Sequence, residues 1–82
     1  MSAQTNDRPV KRSLTLKGHR TSVSLEDDFW RAFQDIAREE GLALNALAAR
    51  IDAERDFETG LATAIRLFVL RNLKARLDAQ SF

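Results

Sequence analysis

Arg20, Ser22 and Ser24 occupy every second position of the segment "HRTSVSL". At the two-residue period of a strand they share one face, and Thr21, Val23 and Leu25 share the other. A guanidinium group and two hydroxyls in a row contain no activated nucleophile. Their chemistry is hydrogen bonding to a polar surface, and Arg20 has the fork geometry for a bidentate contact with a guanine edge, whereas the serines donate or accept and so discriminate less. Neighbouring charges point to the same class of partner. Residues 1–20 hold Arg8, Lys11, Arg12, Lys17 and Arg20 against Asp7, a net +4, while residues 21–82 hold eight cations against eleven acids, a net −3. The overall charge of +1 conceals a basic end suited to a polyanion, with Lys11, Arg12 and Lys17 as candidate phosphate contacts.

Other chemistries lack their parts. There is no cysteine or tyrosine, and the one histidine, His19, has no companion set of zinc ligands. The acids Asp52, Glu54, Asp56 and Glu58 lack the glycine-containing spacing of a calcium loop, and read as a solvated helix end that would repel a polyanion. Phe29, Trp30 and Phe33 fall at helical spacing and are expected in a core, not in a stacking site. No catalytic residue, metal site or cofactor is expected, and the chain does not read as an enzyme.

The elements that must position these residues follow from the apolar pattern. Residues 1–10 are polar and include Pro9, so a disordered basic arm is expected there, with a folded domain over 11–77 and a flexible tail over 78–82. No run has the length of a signal peptide or membrane span, so a soluble, cytoplasmic chain is expected. Two runs alternate with period two, Ser13 to Lys17 and Arg20 to Leu25. They are out of phase: Leu14 and Leu16 are at even positions, Val23 and Leu25 at odd ones, and Gly18 lies between. The second run is taken as the strand and the first as an adjoining arm without assigned structure. A helix follows the acids Glu26 to Asp28, which suit its positive end and offer Asp27, with Ser24, as a cap. It buries Phe29, Phe33, Ile36 and Ala37 and stops at Gly41. A second helix, Leu44 to Glu54, buries Leu44, Leu47, Ala48 and Ile51. A third buries Leu61, Ile65, Phe68, Val69, Leu73 and Leu77.

The expected fold is mainly α with one short strand. A lone strand with a buried face leaves costly unpaired amides, and an 82-residue chain without disulfides has a marginal core, so a second copy is expected to supply an antiparallel strand.

The stretch "TSVSLEDDFWRAFQDIAREEGLALNALAARI" resembles the Arc- and MetJ-like ribbon-helix-helix superfamily. "GHRTSVSLEDDFW" and "LATAIRLFVL" resemble a small bacterial subfamily with an extra C-terminal helix. The resemblance covers residues 11–76. It implies a homodimer with an intermolecular two-stranded ribbon, double-stranded DNA as partner, and transcription regulation. Arg20, Ser22 and Ser24 would read bases, and Ala43, Leu44 and Asn45, at the start of the second helix, would clamp phosphate. Ala43 departs from the pattern, which often has a capping Ser or Thr there. A competing reading makes the domain a scaffold, with the third helix engaging a protein partner as in an adaptor or antitoxin.

Overall fold

The structure, a computed structural model, describes residues 7–80. The order is β1 (Val10–Leu16), β2 (His19–Leu25), α1 (Asp27–Glu39), α2 (Leu44–Glu54) and α3 (Leu61–Ala79). β1 and β2 pair antiparallel, with Val10 opposite Leu25, Leu14 opposite Thr21 and Leu16 opposite His19. The residue numbers of every such pair sum to 35. Because that sum is odd, each even position of β1 shares a face with an odd position of β2. The two apolar sets, which diverge in one continuous strand, therefore meet on one face of a hairpin.

Lys17 and Gly18 form the two-residue connection, and both have positive φ, 52° and 83°. That is the requirement of a type I′ turn, whose twist matches the flanking strands. Gly18 meets it without steric cost, while Lys17 carries a side chain in a left-handed conformation. The expectation of a single strand is corrected accordingly. Residues 13–16 of the first run belong to β1, and β2 pairs with that strand of its own chain. The expected boundaries shift too: Val10 is already in β1, and α3 continues to Ala79. Most of the proposed arm, residues 1–6, and the last two residues of the proposed tail lie outside the described residues.

The inner face of the ribbon contributes Leu14, Val23 and Leu25 to one core cluster. Phe33, Ile36 and Ala37 join from α1, Leu47, Ala48 and Ile51 from α2, and Ile65 and Val69 from α3. α2 packs against β1, and α3 against β2. Each ribbon edge thereby meets a helix of the same chain. With a two-residue turn, Leu16 and His19 form the hydrogen-bonded flanking pair, which leaves Thr15 with its amide pointing outward. Asn45 Oδ1 accepts that N–H at 3.0 Å. On the other edge, Arg66 Nη2 donates to the Ser24 carbonyl at 3.2 Å.

The helix ends differ from expectation in one respect. α1 has Glu26, in extended conformation, at the N-cap position expected of Ser24 or Asp27, and Glu26 makes no side-chain cap hydrogen bond. Gly41 does stop α1, with φ of 70°. Its N–H donates to the Arg38 carbonyl and that of Leu42 to the Ala37 carbonyl, the glycine-based termination expected there.

If β1 is an integral layer of the core, Leu14→Ala will destabilise the fold by about 2–4 kcal/mol, the usual loss for a buried leucine. A neutral result in denaturant unfolding would return residues 11–17 to the status of an arm. Gly18→Val should cost a further ~1–2 kcal/mol by placing a branched side chain at positive φ.

Candidate nucleic-acid interface

The hairpin register builds a six-residue polar face. Lys11, Ser13 and Thr15 of β1 and Arg20, Ser22 and Ser24 of β2 are all exposed. They pair as Lys11–Ser24, Ser13–Ser22 and Thr15–Arg20. With Leu16–His19 hydrogen-bonded, these are the non-hydrogen-bonded pairs, whose side chains lie closest across the ribbon. Ser13 and Thr15 escape a sequence reading that treats their run as an arm. The signal that finds them is the Lys-Gly pair between two alternating runs. Strands about 4.8 Å apart form a ribbon narrow enough for a major groove about 12 Å wide.

The candidate phosphate contacts divide. Lys11 is exposed on the outer face, and Lys17 is exposed at the turn. Arg12 faces the other way. It pairs with Asp27 at the start of α1 and lies over the Trp30 ring, 5.4 Å from guanidinium carbon to centroid. Its side chain is only 18 % exposed, and its Nε is buried without a hydrogen-bond partner among the described residues. Arg12 thus joins β1 to α1, and alternation separates it from Lys11, its neighbour in sequence.

The start of α2 lies beside the ribbon. Ala43 is its extended N-cap and makes no side-chain cap hydrogen bond. The first helical bond runs from the Leu47 N–H to the Ala43 carbonyl, so the amides of Leu44, Asn45 and Ala46 precede the helical ladder. No acid lies in this first turn. Such an end favours an anion even without a capping hydroxyl. The Asn45–Thr15 bond ties it to the edge of β1, near the Thr15–Arg20 pair.

The acids are not all remote from the ribbon. Asp52 and Arg55 line a groove of about 390 Å³ together with Lys17, His19 and Ser22. Arg55 Nε donates to Asp52 Oδ1 at 2.7 Å, which offsets that charge locally. Glu26 is held by Arg66, whose Nε and Nη2 reach its two carboxylate oxygens at 3.0 and 3.3 Å. The hydrogen bond from Arg66 keeps the Glu26 carboxyl below the ordinary carboxylate range. Arg76 lowers Glu39 in the same way, and Glu39 in turn raises Arg76. Among the described residues no group of three His, Asp or Glu could hold a metal ion, and no helix is long and apolar enough to cross a membrane.

Two neighbouring substitutions separate structure from binding. Arg12→Met should cost about 1–3 kcal/mol of stability, because the half-buried ion pair with Asp27 and the guanidinium stacking on Trp30 are both lost. Lys11→Met should leave the melting temperature unchanged and weaken any polyanion binding. Equal thermal effects would refute the separation of the two faces.

The acid behaviour has a definite sign. Glu26 and Glu39 have lowered folded-state pKa values, so each contributes stability that is present above the unfolded value and lost as pH falls through the folded one. Glu26→Gln and Glu39→Gln should each reduce the loss of thermal stability on acidification across that window. Unchanged pH dependence in both variants would contradict the two ion pairs.

A family model described as "Ribbon-helix-helix domain" matches residues 9–73. Proteins with this domain are in general DNA-binding transcription regulators and antitoxins, typically dimeric and not enzymatic. No curated protein and no solved structure matches the chain.

Proposed function

Because the chain belongs to the ribbon-helix-helix domain family, we propose that it is a sequence-specific transcription regulator that binds double-stranded DNA as a homodimer. The outer ribbon face enters the major groove. Arg20 makes the discriminating contact, bidentate to guanine, and Ser22 and Ser24 add hydrogen bonds of lower selectivity. Ser13 and Thr15 extend the same row. Lys11, Lys17 and the amides of Ala43, Leu44 and Asn45 engage phosphate and set the register. Arg12 is left out of the contact set, since its guanidinium is committed to Asp27 and Trp30.

The observation that carries this reading is the composition of the exposed face. All six of its side chains are polar, two are cationic, and none is acidic. A ribbon serving only as scaffold has no need of such a face. The competing adaptor or antitoxin reading rests on α3, where Leu70, Leu73 and Leu77 are exposed by 51 %, 42 % and 65 %.

The test is selection from a random duplex library at two salt concentrations. The intact protein should enrich a defined site. Arg20→Ala should lose about 1–3 kcal/mol on that site and relax its sequence preference, with a much smaller loss on random DNA. Lys11→Met should weaken binding to all sequences and lower the salt slope by about one unit. Equal losses on specific and random DNA for Arg20→Ala would remove its reading role, and no binding at low salt would leave the α3 reading in possession.

A further inference from the structure

Ala64, Leu67, Phe68 and Arg71 recur at three- and four-residue spacing, so they share one stripe of α3. Together with Ile51 of α2 they line a groove of about 480 Å³. That volume falls within the range of small-ligand sites, about 300–1,000 Å³. Ile51 is buried, whereas Ala64, Leu67 and Phe68 are only half-buried, so the floor of the groove offers apolar surface to an occupant.

The charges on the rim are sorted by end. Glu54 closes α2 and Asp56 begins the segment that joins it to α3, which places both acids at the end of the groove where α3 starts. Arg71 lies two turns beyond Ala64, about 10 Å further along the helix. Arg55 is also on the rim but is committed elsewhere, its Nε to Asp52 and its Nη1 to the Thr59 carbonyl, each at 2.7 Å. With the Thr59 N–H donating to the Asp56 carbonyl at 3.0 Å, these bonds hold the acidic end in shape. Glu54, Asp56 and Arg71 are exposed, and their side chains have no hydrogen-bond or ion-pair partner among the described residues.

We infer that the groove binds a short free peptide with apolar side chains, its ammonium group at Glu54 and Asp56 and its carboxylate at Arg71. An extended tripeptide spans about 10 Å, at about 3.3–3.6 Å per residue, which matches the separation of the two rim ends. A single amino acid carries the same two charges too close together to reach both. A segment inside a longer protein brings apolar side chains but no terminal charges. Burial of the apolar side chains on the floor drives binding without direction, and the two termini fix the direction along α3. No residue of β1 or β2 contributes to these contacts, so the site is separate from the outer ribbon face. The inference does not rest on DNA binding and is tested without DNA.

The experiment is isothermal titration calorimetry on the full chain with leucyl-alanyl-leucine in four forms: free, N-acetylated, C-amidated and blocked at both ends. The free form should bind with a Kd on the order of 100 μM. Each block should weaken binding about three- to fivefold, the scale of an exposed ion pair. Arg71→Met should weaken the free peptide by a similar factor and remove the response to amidation while keeping the response to acetylation. The double variant Glu54→Gln, Asp56→Asn should do the reverse. All three side chains are exposed and unpartnered, so thermal melting should match that of the intact chain. No saturable binding of the free peptide at millimolar concentration would overturn the proposal, as would an Arg71→Met variant that still discriminates against the amidated form. Equal or tighter binding of the doubly blocked peptide would overturn it as well, and would assign the groove to an internal segment of another protein.

Discussion

The odd-sum pairing of β1 with β2 is the constraint on which the remaining structure depends. It fixes which side chains face inward on both strands at once. Leu14, Val23 and Leu25 meet the helices only because Lys17 and Gly18 turn the chain in two residues. A slip of one residue would send every side chain of one strand to the opposite face, exposing Leu14 and burying Ser13 and Thr15. The same register assembles the outer face, so core formation and the candidate interface are one geometric event.

The inner face then determines how α1 is held. Arg12 comes from β1 and Arg66 from α3, and they grip adjacent acids, Asp27 and Glu26. Each guanidinium also lies over an aromatic ring of the same helix, Arg12 over Trp30 and Arg66 over Phe29 at 5.9 Å. The first turn of α1 thus has cationic clamps in place of a hydroxyl cap. Acids there suit the helix dipole in any case. Their pairing with planar guanidinium groups adds direction, and stacking on the rings removes apolar surface from water.

Much of this architecture was legible in the sequence. The three helices and their buried stripes follow from apolar spacing, and Gly41 ends α1 as its type suggests. β1 was not legible to a test of phase, because opposite parity in two neighbouring runs excludes a continuous strand and a hairpin of odd sum produces that same parity. Lys17 obscured the turn further, since type I′ turns favour Asn or Gly at its position. The N-cap falls on Glu26 for a different reason: residue type shows what a side chain can do, whereas Arg12 and Arg66, distant in sequence, pair with Asp27 and Glu26 at the start of the helix.

Counting cations along the basic end groups Lys11 with Arg12, and the structure separates them by alternation alone. The outer ribbon face keeps two positive charges, on Lys11 and Arg20, at opposite ends of a hydroxyl row. Such a face has little unspecific attraction to spare. Arg20 lies opposite Thr15, whose outward N–H bonds Asn45, so the start of α2 lies across β1 from the side chain best able to read a base. On the proposed DNA-binding reading, a phosphate anchor on the same side of the ribbon would limit the freedom of Arg20 to find alternative base contacts and so favour selectivity over raw affinity. Asp52, near the turn, works in the same direction by lowering the attraction of that end for any polyanion.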